Sequence, residues 1–119
     1  MKDEVKVCLI GSGRAGMIHG HNFAGSVPGG KIIAVCDPVG DVAENAAKEL
    51  GIDLFYKEYL NVMKNEDIDA VIIACPTKFH KEITVAAANA GKHIFCEKPM
   101  AMNEDECDEM INAAKENNV

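Results

Sequence analysis

Residues 5–16 read Val-Lys-Val-Cys-Leu-Ile-Gly-Ser-Gly-Arg-Ala-Gly, and this stretch decides the fold. The first six residues are mostly β-branched or apolar, which predicts a buried strand that ends at the first glycine. The next six fit the pattern G-x-G-x-x-G, and a helix is predicted from about residue 15 to residue 24. A strand, a tight glycine turn and a helix in this order are typical of the first unit of a doubly wound α/β fold.

The rest of the sequence repeats this alternation of strand and helix. Further strands are predicted at residues 31–36, 52–56, 70–75 and 93–96, and further helices at residues 42–50, 58–64, 79–90 and 104–117. Asp41, with Glu44 three residues later, resembles a capping box, and Asn103 is expected to cap the last helix. The alternation predicts a three-layer, Rossmann-type, doubly wound parallel sheet that is covered by helices on both faces.

Composition and charge narrow the class of protein. The 119 residues suit one domain, and 48% hydrophobic with 26% charged residues is ordinary for a globular protein. The net charge of −7 argues against a nucleic-acid partner, because binding of the phosphate backbone needs clustered Lys and Arg. No apolar run approaches the roughly 18 residues of a membrane span, and the start lacks a signal-peptide layout. We therefore expect no membrane association and a cytoplasmic location.

The cysteines and two of the histidines could suggest a metal or disulfide site. The five cysteines are an odd number without a C-x-x-C pair, and four of them lie in or at the end of apolar runs: Cys8, Cys36, Cys75 and Cys96. Cysteine in such runs behaves as a small buried hydrophobe, so reduced thiols are expected. His19 and His21 are two residues apart and do not share a helix face. No metal site is expected, and both histidines are predicted to be structural or solvent-exposed.

The glycine turn predicts a binding site for a dinucleotide. The first glycine permits the tight turn, the second lets backbone N–H groups approach a pyrophosphate, and the third allows close packing of helix on sheet. The anion would lie at a helix N-terminus, where unpaired N–H groups and the helix dipole favour negative charge. The predicted cofactor-binding residues of this segment are Gly11, Ser12, Gly13, Arg14, Ala15, Gly16 and Met17.

Asp37 adds the acidic residue that such a site needs. It lies 21 residues after Gly16, at the carboxyl end of the second strand, where a carboxylate can accept hydrogen bonds from the adenosine ribose. A carboxylate there would repel a 2′-phosphate and so favours NAD, although Arg14 nearby could accept that phosphate and NADP stays possible. A site for S-adenosylmethionine can also place an acid after strand two, but the third glycine at Gly16 favours the dinucleotide.

Two later strands bring polar residues to the same edge of the sheet. The fourth strand ends at Cys75-Pro76-Thr77 and the fifth at Glu97-Lys98-Pro99, both expected beside the nicotinamide end of the cofactor. Lys98 could hydrogen-bond a substrate hydroxyl and, if burial favours its neutral form, exchange a proton with it. Glu97 could orient this ammonium or counter its charge, the alternative being an ordinary surface ion pair. His80 could serve catalysis or only cap and pack the next helix.

These motifs together resemble the N-terminal half of the glucose–fructose oxidoreductase/inositol 2-dehydrogenase (Gfo/Idh/MocA) family. The resemblance covers essentially the whole chain and rests on the glycine turn, on Asp37, on Pro76-Thr77-Lys78-Phe79-His80 and on Glu97-Lys98-Pro99. The E-K-P element is its most specific part. Strand four of the family often ends in Thr-Pro-Asn, whereas here Cys75 and Thr77 stand at the first and third positions.

The resemblance implies an NAD(P)-dependent oxidation or reduction at a hydroxyl-bearing carbon of a sugar, cyclitol or related polyol. It implies that Lys98 is the catalytic lysine, which contacts the reacting oxygen, and that Glu97 contacts the cofactor or supports the lysine. Cys75, Pro76, Thr77, His80 and Lys98 itself are further predicted cofactor contacts. Family members continue into a second α/β domain that supplies most of the substrate pocket and often the oligomer interface. The resemblance therefore implies that residues 1–119 are the dinucleotide-binding domain of a longer, homo-oligomeric enzyme, truncated before its substrate domain.

Two other functions fit the same framework. Some relatives sense a dinucleotide and act as non-catalytic co-repressors, which would not require a proton-transferring lysine. Others reduce substrates that are not sugars, such as a bilin or a dihydrodiol, and only residues outside a cofactor domain could discriminate these from polyol dehydrogenases.

Overall fold

The computed structural model describes residues 3–119 and contains a five-stranded parallel sheet with helices on both faces. The strands are β1 Val5–Ile10, β2 Gly30–Cys36, β3 Leu54–Tyr56, β4 Ala70–Ile73 and β5 His93–Cys96. The helices are α1 Arg14–Gly25, α2 Val42–Leu50, α3 Tyr59–Met63, α4 His80–Asn89 and α5 Glu104–Glu116, with a short 3₁₀ turn at Thr77–Phe79 before α4. The predicted alternation of strands and helices is confirmed.

The sheet has the strand order β3-β2-β1-β4-β5. The chain runs outward from β1 through β2 to β3 and then crosses back, so that β4 pairs with the other side of β1. The connections on the two sides of β1 therefore lead in opposite directions. In sheets of this kind, ligands bind in the crevice at this switch point, beyond the carboxyl ends of the strands.

The central strand β1 shows why the sheet needs helices on both faces. Val7 and Leu9 point to a core shared with α1 and α2, whereas Cys8 and Ile10 point to the core under α3 and α4. These four residues are at most 3% exposed. Successive side chains of a strand point to opposite faces, so an unbroken apolar run like this one is stable only when both faces are covered. Helix α5 completes its layer by packing against α4.

Of the two helix caps predicted from the sequence, one is present and one is not. Asn103 caps α5, since its Oδ1 accepts a hydrogen bond of 2.9 Å from the backbone N–H of Glu106. Glu106 in turn accepts 3.0 Å from the backbone N–H of Met102, which completes a reciprocal cap. The capping box predicted for Asp41 and Glu44 is wrong: Asp41 makes no side-chain capping bond, and its φ of −97° and ψ of 12° are not the extended values of a usual N-cap.

Strand β4 ends earlier than predicted, at Ile73 instead of Cys75. The backbone of the glycine turn lies against this point, because a Cβ added at Gly11 would be 2.5 Å from the backbone nitrogen of Cys75. Pro76 has no N–H to donate to a sheet, and the chain then enters the 3₁₀ turn. The end of β4 and the glycine turn are therefore packed together at the carboxyl edge.

The cysteines are free thiols, and two of them lie in the core. Cys8 and Cys36 are 0% and 1% exposed. Burial raises the pKa of the Cys36 thiol to about 12 and also raises that of Cys8, so both are protonated at neutral pH.

None of the helices within residues 3–119 has the length and apolar character that crossing a membrane requires.

Candidate functional site

Two of the three motif glycines are required by the fold itself. Gly11 has a φ of +94°, which side chains rarely adopt, and its neighbour Cys75 leaves no room for a Cβ. A Cβ at Gly16 would overlap the carbonyl oxygen of Gly11, whereas the Cβ of Ala74 on the sheet would be at an ordinary 3.5 Å. Gly16 is therefore needed mainly by the turn, and less by the helix–sheet contact from which it was predicted.

Gly13 differs from the other two glycines. It has an extended backbone with φ −75° and ψ −164°, and a Cβ added there would meet nothing within 4 Å. The residue is exposed, lines the cleft described below, and directly precedes α1. No side chain caps α1 and no acidic residue occupies its first turn, so the orphan N–H groups at this end are available to an anion.

Asp37 is anchored at the end of β2 and tied to the glycine turn. Its Oδ2 accepts 3.0 Å from the backbone N–H of Ser12 and 3.4 Å from the Ser12 hydroxyl. Its Oδ1 accepts 3.0 Å from the backbone N–H of Val39. Since each carboxylate oxygen can accept more than one hydrogen bond, Asp37 keeps acceptor capacity for a ribose hydroxyl. The structure thus fixes the carboxylate beside the turn at the carboxyl end of β2, and its contact with a ribose stays a prediction.

A cleft of about 500 Å³ opens beyond the carboxyl ends of β1, β2 and β4. Its volume lies in the usual range for small-molecule sites. It brings together Gly11, Gly13, Asp37, Cys75 and Pro76 from the predicted set, and its other walls include Val39, Tyr59, Phe79 and Ile83. The remaining walls are therefore largely apolar and suit a flat ring system.

A larger depression of about 890 Å³ lies at the opposite edge, near the amino ends of β1 and β5. Its lining includes Ile68, Ala90 and the buried Lys92, whose ammonium donates to the carbonyl oxygens of Asn65 and Ile68. We place the functional site in the smaller cleft, because ligands of open parallel sheets bind at the carboxyl ends of the strands.

Four further predicted cofactor contacts differ in their exposure and packing: Arg14, Ala15, Met17 and Thr77. Arg14 and Ala15 are exposed at the start of α1, where backbone N–H groups have no acceptor within the helix. Met17 is half-buried and packs into the core between α1 and the sheet. Thr77 begins the turn behind Pro76 and is half-buried. Backbone contacts from α1 are therefore better supported than side-chain contacts from Met17 or Thr77.

His80 lies behind the site and not on its surface. It is 1% exposed, and its Nε2–H donates to the carbonyl oxygen of Cys75 at 2.8 Å. Its Nδ1 lies 3.2 Å from the carbonyl oxygen of Met100 and 3.3 Å from the Sγ of Cys96. The predicted direct contact of His80 with a cofactor does not agree with this burial. The ring instead joins the end of β4 to the segment that follows β5.

The Glu97-Lys98-Pro99 segment extends the carboxyl end of β5. The backbone N–H of Glu97 donates 2.9 Å to the carbonyl oxygen of Ile73, which keeps this residue beside β4. The Lys98–Pro99 peptide bond is cis. The side chain of Lys98 is exposed, and no hydrogen bond or ion pair of its ammonium is found among residues 3–119. Residues 3–119 leave the Lys98 side chain exposed, whereas burial was the condition under which its neutral form was expected.

The carboxylate of Glu97 does not have the partner that the sequence predicted. Its Oε2 lies 2.7 Å from the Nε2 of His19, and its Oε1 accepts 2.9 Å from the backbone N–H of Lys98. Glu97 therefore pairs with His19 and not with the Lys98 ammonium. His19 was expected to be merely structural or exposed, but it follows Gly16 by three residues and so lies on the helix face that packs toward the sheet. That spacing was the available signal.

The chain matches the model of an oxidoreductase family described as having an NAD-binding Rossmann fold, over residues 5–119. It is 39% identical, over its full length, to the scyllo-inositol 2-dehydrogenase (NAD(+)) of Bacillus subtilis strain 168, of which it covers 35%. It is 34% identical over 95% of its length to the inositol 2-dehydrogenase of Salmonella typhimurium strain LT2, of which it covers 34%. The chain thus spans about a third of the length of these curated relatives.

Solved structures agree with this relationship. The scyllo-inositol dehydrogenase of Lactobacillus casei with bound NAD(H) and scyllo-inositol has a TM-score of 0.89 at 31% identity. The similarity covers 97% of this chain and 34% of that one. A probable dehydrogenase from Thermotoga maritima has a TM-score of 0.92 at 32% identity, with 97% and 34% covered. The glycine turn, the cleft and the family match together show that this chain belongs to the Gfo/Idh/MocA oxidoreductase family and forms its NAD-binding Rossmann domain.

Proposed function

We propose that this chain is the cofactor-binding part of a longer NAD-dependent dehydrogenase that oxidises a CH–OH group of a cyclitol or related polyol. The observation that carries the proposal is a juxtaposition at one edge of the sheet. The cleft with Asp37 and the exposed ammonium of Lys98, which makes no hydrogen bond or ion pair within residues 3–119, both lie at the carboxyl ends of the strands. The names of the relatives, which include inositol and levoglucosan dehydrogenases, support the substrate class.

Each part of the site has a distinct task in this proposal. The first-turn N–H groups of α1 hold the pyrophosphate, and the absence of a Cβ at Gly13 lets the phosphates approach the backbone. Asp37 accepts hydrogen bonds from the adenosine ribose while Ser12 and Val39 keep it in place. A dinucleotide held in this way would supply the acceptor for the hydride that leaves the carbinol carbon. The cofactor is therefore held by backbone groups and one carboxylate.

Lys98 acts on the reacting oxygen. A carbinol loses a hydride from carbon and a proton from oxygen as it becomes a carbonyl, and a lysine beside the oxygen can hydrogen-bond it and assist the proton transfer. Because Lys98 is exposed in residues 3–119, its exclusion from water must come from the substrate and from the part of the protein that covers it. A purely sensory role would leave this unpaired lysine without a task.

The remaining expectations rest on the sequence and the family resemblance. A cytoplasmic location, a homo-oligomeric full-length protein and the lack of a nucleic-acid partner remain predictions.

The decisive experiment has two stages. Titration calorimetry of residues 1–119 should show binding of NAD, and the absence of heat even at millimolar NAD would contradict the cofactor assignment. The full-length protein is then tested with NAD against a panel of inositol isomers, other cyclitols and sugars, read by the absorbance of reduced nicotinamide. Turnover of a polyol is expected. Intact NAD binding with no turnover of any member would instead favour the sensor or a different substrate class.

The choice between NAD and NADP can be tested at Asp37. We expect Asp37→Ala to raise the Kd of NAD about 10- to 100-fold, because a hydrogen bond to a charged group contributes about 1.5–3 kcal/mol. The Kd of NADP should rise less, since the repulsion of the 2′-phosphate is removed together with the anchor. Calorimetric titration with both cofactors gives the ratio of the two Kd values, which is insensitive to any loosening of the loop that affects both equally.

Ser12→Ala is the matched control for Asp37→Ala. It removes a hydroxyl that bonds the same carboxylate at 3.4 Å but leaves the charge and the backbone bond from Ser12 N–H. The NAD-to-NADP ratio should therefore stay at the wild-type value. Equal weakening of both cofactors by Asp37→Ala would remove the ribose assignment.

A further inference from the structure

The ends of α1 and β5 are joined by a contact that the proposed chemistry has not used. His19, on α1, donates through Nε2–H to the Oε2 of Glu97 at 2.7 Å, and the two side chains are 22% and 32% exposed. The ring of His19 also meets Phe95 edge-to-face, with ring centroids 5.4 Å apart and an interplanar angle of 63°. His19 is thus fixed by two contacts, which makes it a rigid donor.

This donor decides where the carboxylate of Glu97 points. One oxygen is held by His19 and the other accepts from the backbone N–H of Lys98. The bond from His19 is the main reason that the pKa of Glu97 is lowered, so the carboxylate is ionised at neutral pH. The charge of the adjacent Lys98 also lowers the pKa of Glu97, but it is the smallest of the causes, and no ion pair between these two side chains is found within residues 3–119.

We propose that His19 is a positioning residue: it holds the Glu97 carboxylate away from the Lys98 ammonium and so keeps that ammonium free for the substrate. The inference rests on the proposed function, because it assigns His19 a task in the chemistry of Lys98. Without His19 one oxygen of Glu97 loses its partner, and the other cation whose charge acts on this carboxylate is Lys98. A carboxylate beside an ammonium stabilises the protonated form, which cannot take a proton from a hydroxyl.

His21 offers a matched control on the same helix. Its Nε2 lies 2.6 Å from Glu49, but both side chains are more than half exposed, at 56% and 58%, and neither lines the cleft. Loss of this pair should have no effect on the site, since exposed ion pairs contribute little. His19 and His21 thus make chemically similar contacts in different places.

The test uses the full-length enzyme and three substitutions: His19→Phe, His19→Gln and His21→Phe. Phenylalanine keeps an aromatic ring against Phe95 but removes the donor, whereas the glutamine side chain can place an N–H near the position of the histidine Nε2. We expect His19→Phe to lower kcat about two- to fivefold, because a carboxylate that pairs with an exposed ammonium favours its protonated form only modestly. The KM for NAD should stay within about twofold, and His19→Gln should restore most of kcat.

A second readout does not depend on turnover. Acetic anhydride acylates a lysine only through its neutral amine, so after brief labelling, mass spectrometry of the Lys98 peptide, referenced to that of Lys31, reports how much of Lys98 is neutral. His19→Phe should lower this labelling about two- to fivefold, and the double variant His19→Phe/Glu97→Gln should return it to the wild-type value, because no carboxylate is left to pair. If His19→Phe simply unfolded the protein, labelling of all lysines would rise together.

The outcomes separate this inference from the proposed function. Unchanged labelling of Lys98 in His19→Phe, or a fall that Glu97→Gln does not reverse, would overturn the role of His19 whatever the substrate proves to be. Equal loss of kcat in His19→Phe and His21→Phe would overturn it as well. Absence of polyol turnover in the wild-type enzyme, with the labelling pattern intact, would instead reject the proposed function and leave the positioning contact established.

Discussion

Lys98→Ala in the full-length enzyme is expected to lower kcat by about 10²- to 10⁴-fold, the usual contribution of a positioned acid–base group. The Kd of NAD should change little, because Lys98 is not among the residues that line the cleft with Asp37 and the glycine turn in the described part of the chain. The measurement is steady-state turnover of the polyol identified in the panel, combined with calorimetric titration of NAD. A loss in kcat with unchanged cofactor affinity identifies a group that acts on the reacting oxygen.

Two further variants separate proton transfer from simple charge. Lys98→Arg keeps a cation and its hydrogen-bond donors, but a guanidinium remains protonated in proteins and cannot accept a proton. If Lys98 exchanges a proton with the substrate, Lys98→Arg should be nearly as slow as Lys98→Ala. Lys31→Ala, at an exposed position near the amino end of β2, is the control and should retain wild-type kcat. Wild-type kcat in Lys98→Ala would dismiss the lysine as catalytic.

The sequence predicted the elements well because their signals are local. The apolar run of β1 is readable residue by residue, since strands buried on both faces need no polar alternation. Asp37 and the glycine turn were also predictable, because the turn geometry requires glycine and the acid follows at a fixed interval. Short stretches of sequence are therefore enough to predict the fold and the position of the glycine turn and Asp37 in it.

The contacts that the sequence did not reveal join residues far apart in the chain. Glu97 and His19 are separated by 78 positions, and the sequence around either residue gives no sign that the two are in contact. His80 was placed correctly near the end of strand four, but its burial depends on Met100 and Cys96, which arrive from the next strand. The failed capping box at Asp41 has a related cause. Whether a side chain caps a helix depends on the backbone angle at which the chain enters it, and residue type alone does not set that angle.

Substitution of the second and third motif glycines should separate binding from folding. Gly13→Ala is expected to fold normally, because its φ of −75° suits alanine and its Cβ would meet nothing within 4 Å. That open space is where the pyrophosphate must approach the backbone, so the added methyl group should raise the Kd of NAD at least about 10-fold. Calorimetric titration and a thermal unfolding curve on the same sample measure both quantities.

Gly16→Ala should behave in the opposite way. Its Cβ would overlap the backbone carbonyl oxygen of Gly11, which cannot rotate aside as a side chain can. Because the turn is also fixed against Cys75, relief of this overlap requires a shift of α1 from the sheet. We therefore expect the free energy of unfolding to fall by about 1–3 kcal/mol. Urea unfolding measures that loss, and NAD binding should fail together with folding. A Gly13→Ala variant as unstable as Gly16→Ala would show that the second glycine also serves the turn, and would remove the structural argument that phosphates occupy the space beside it.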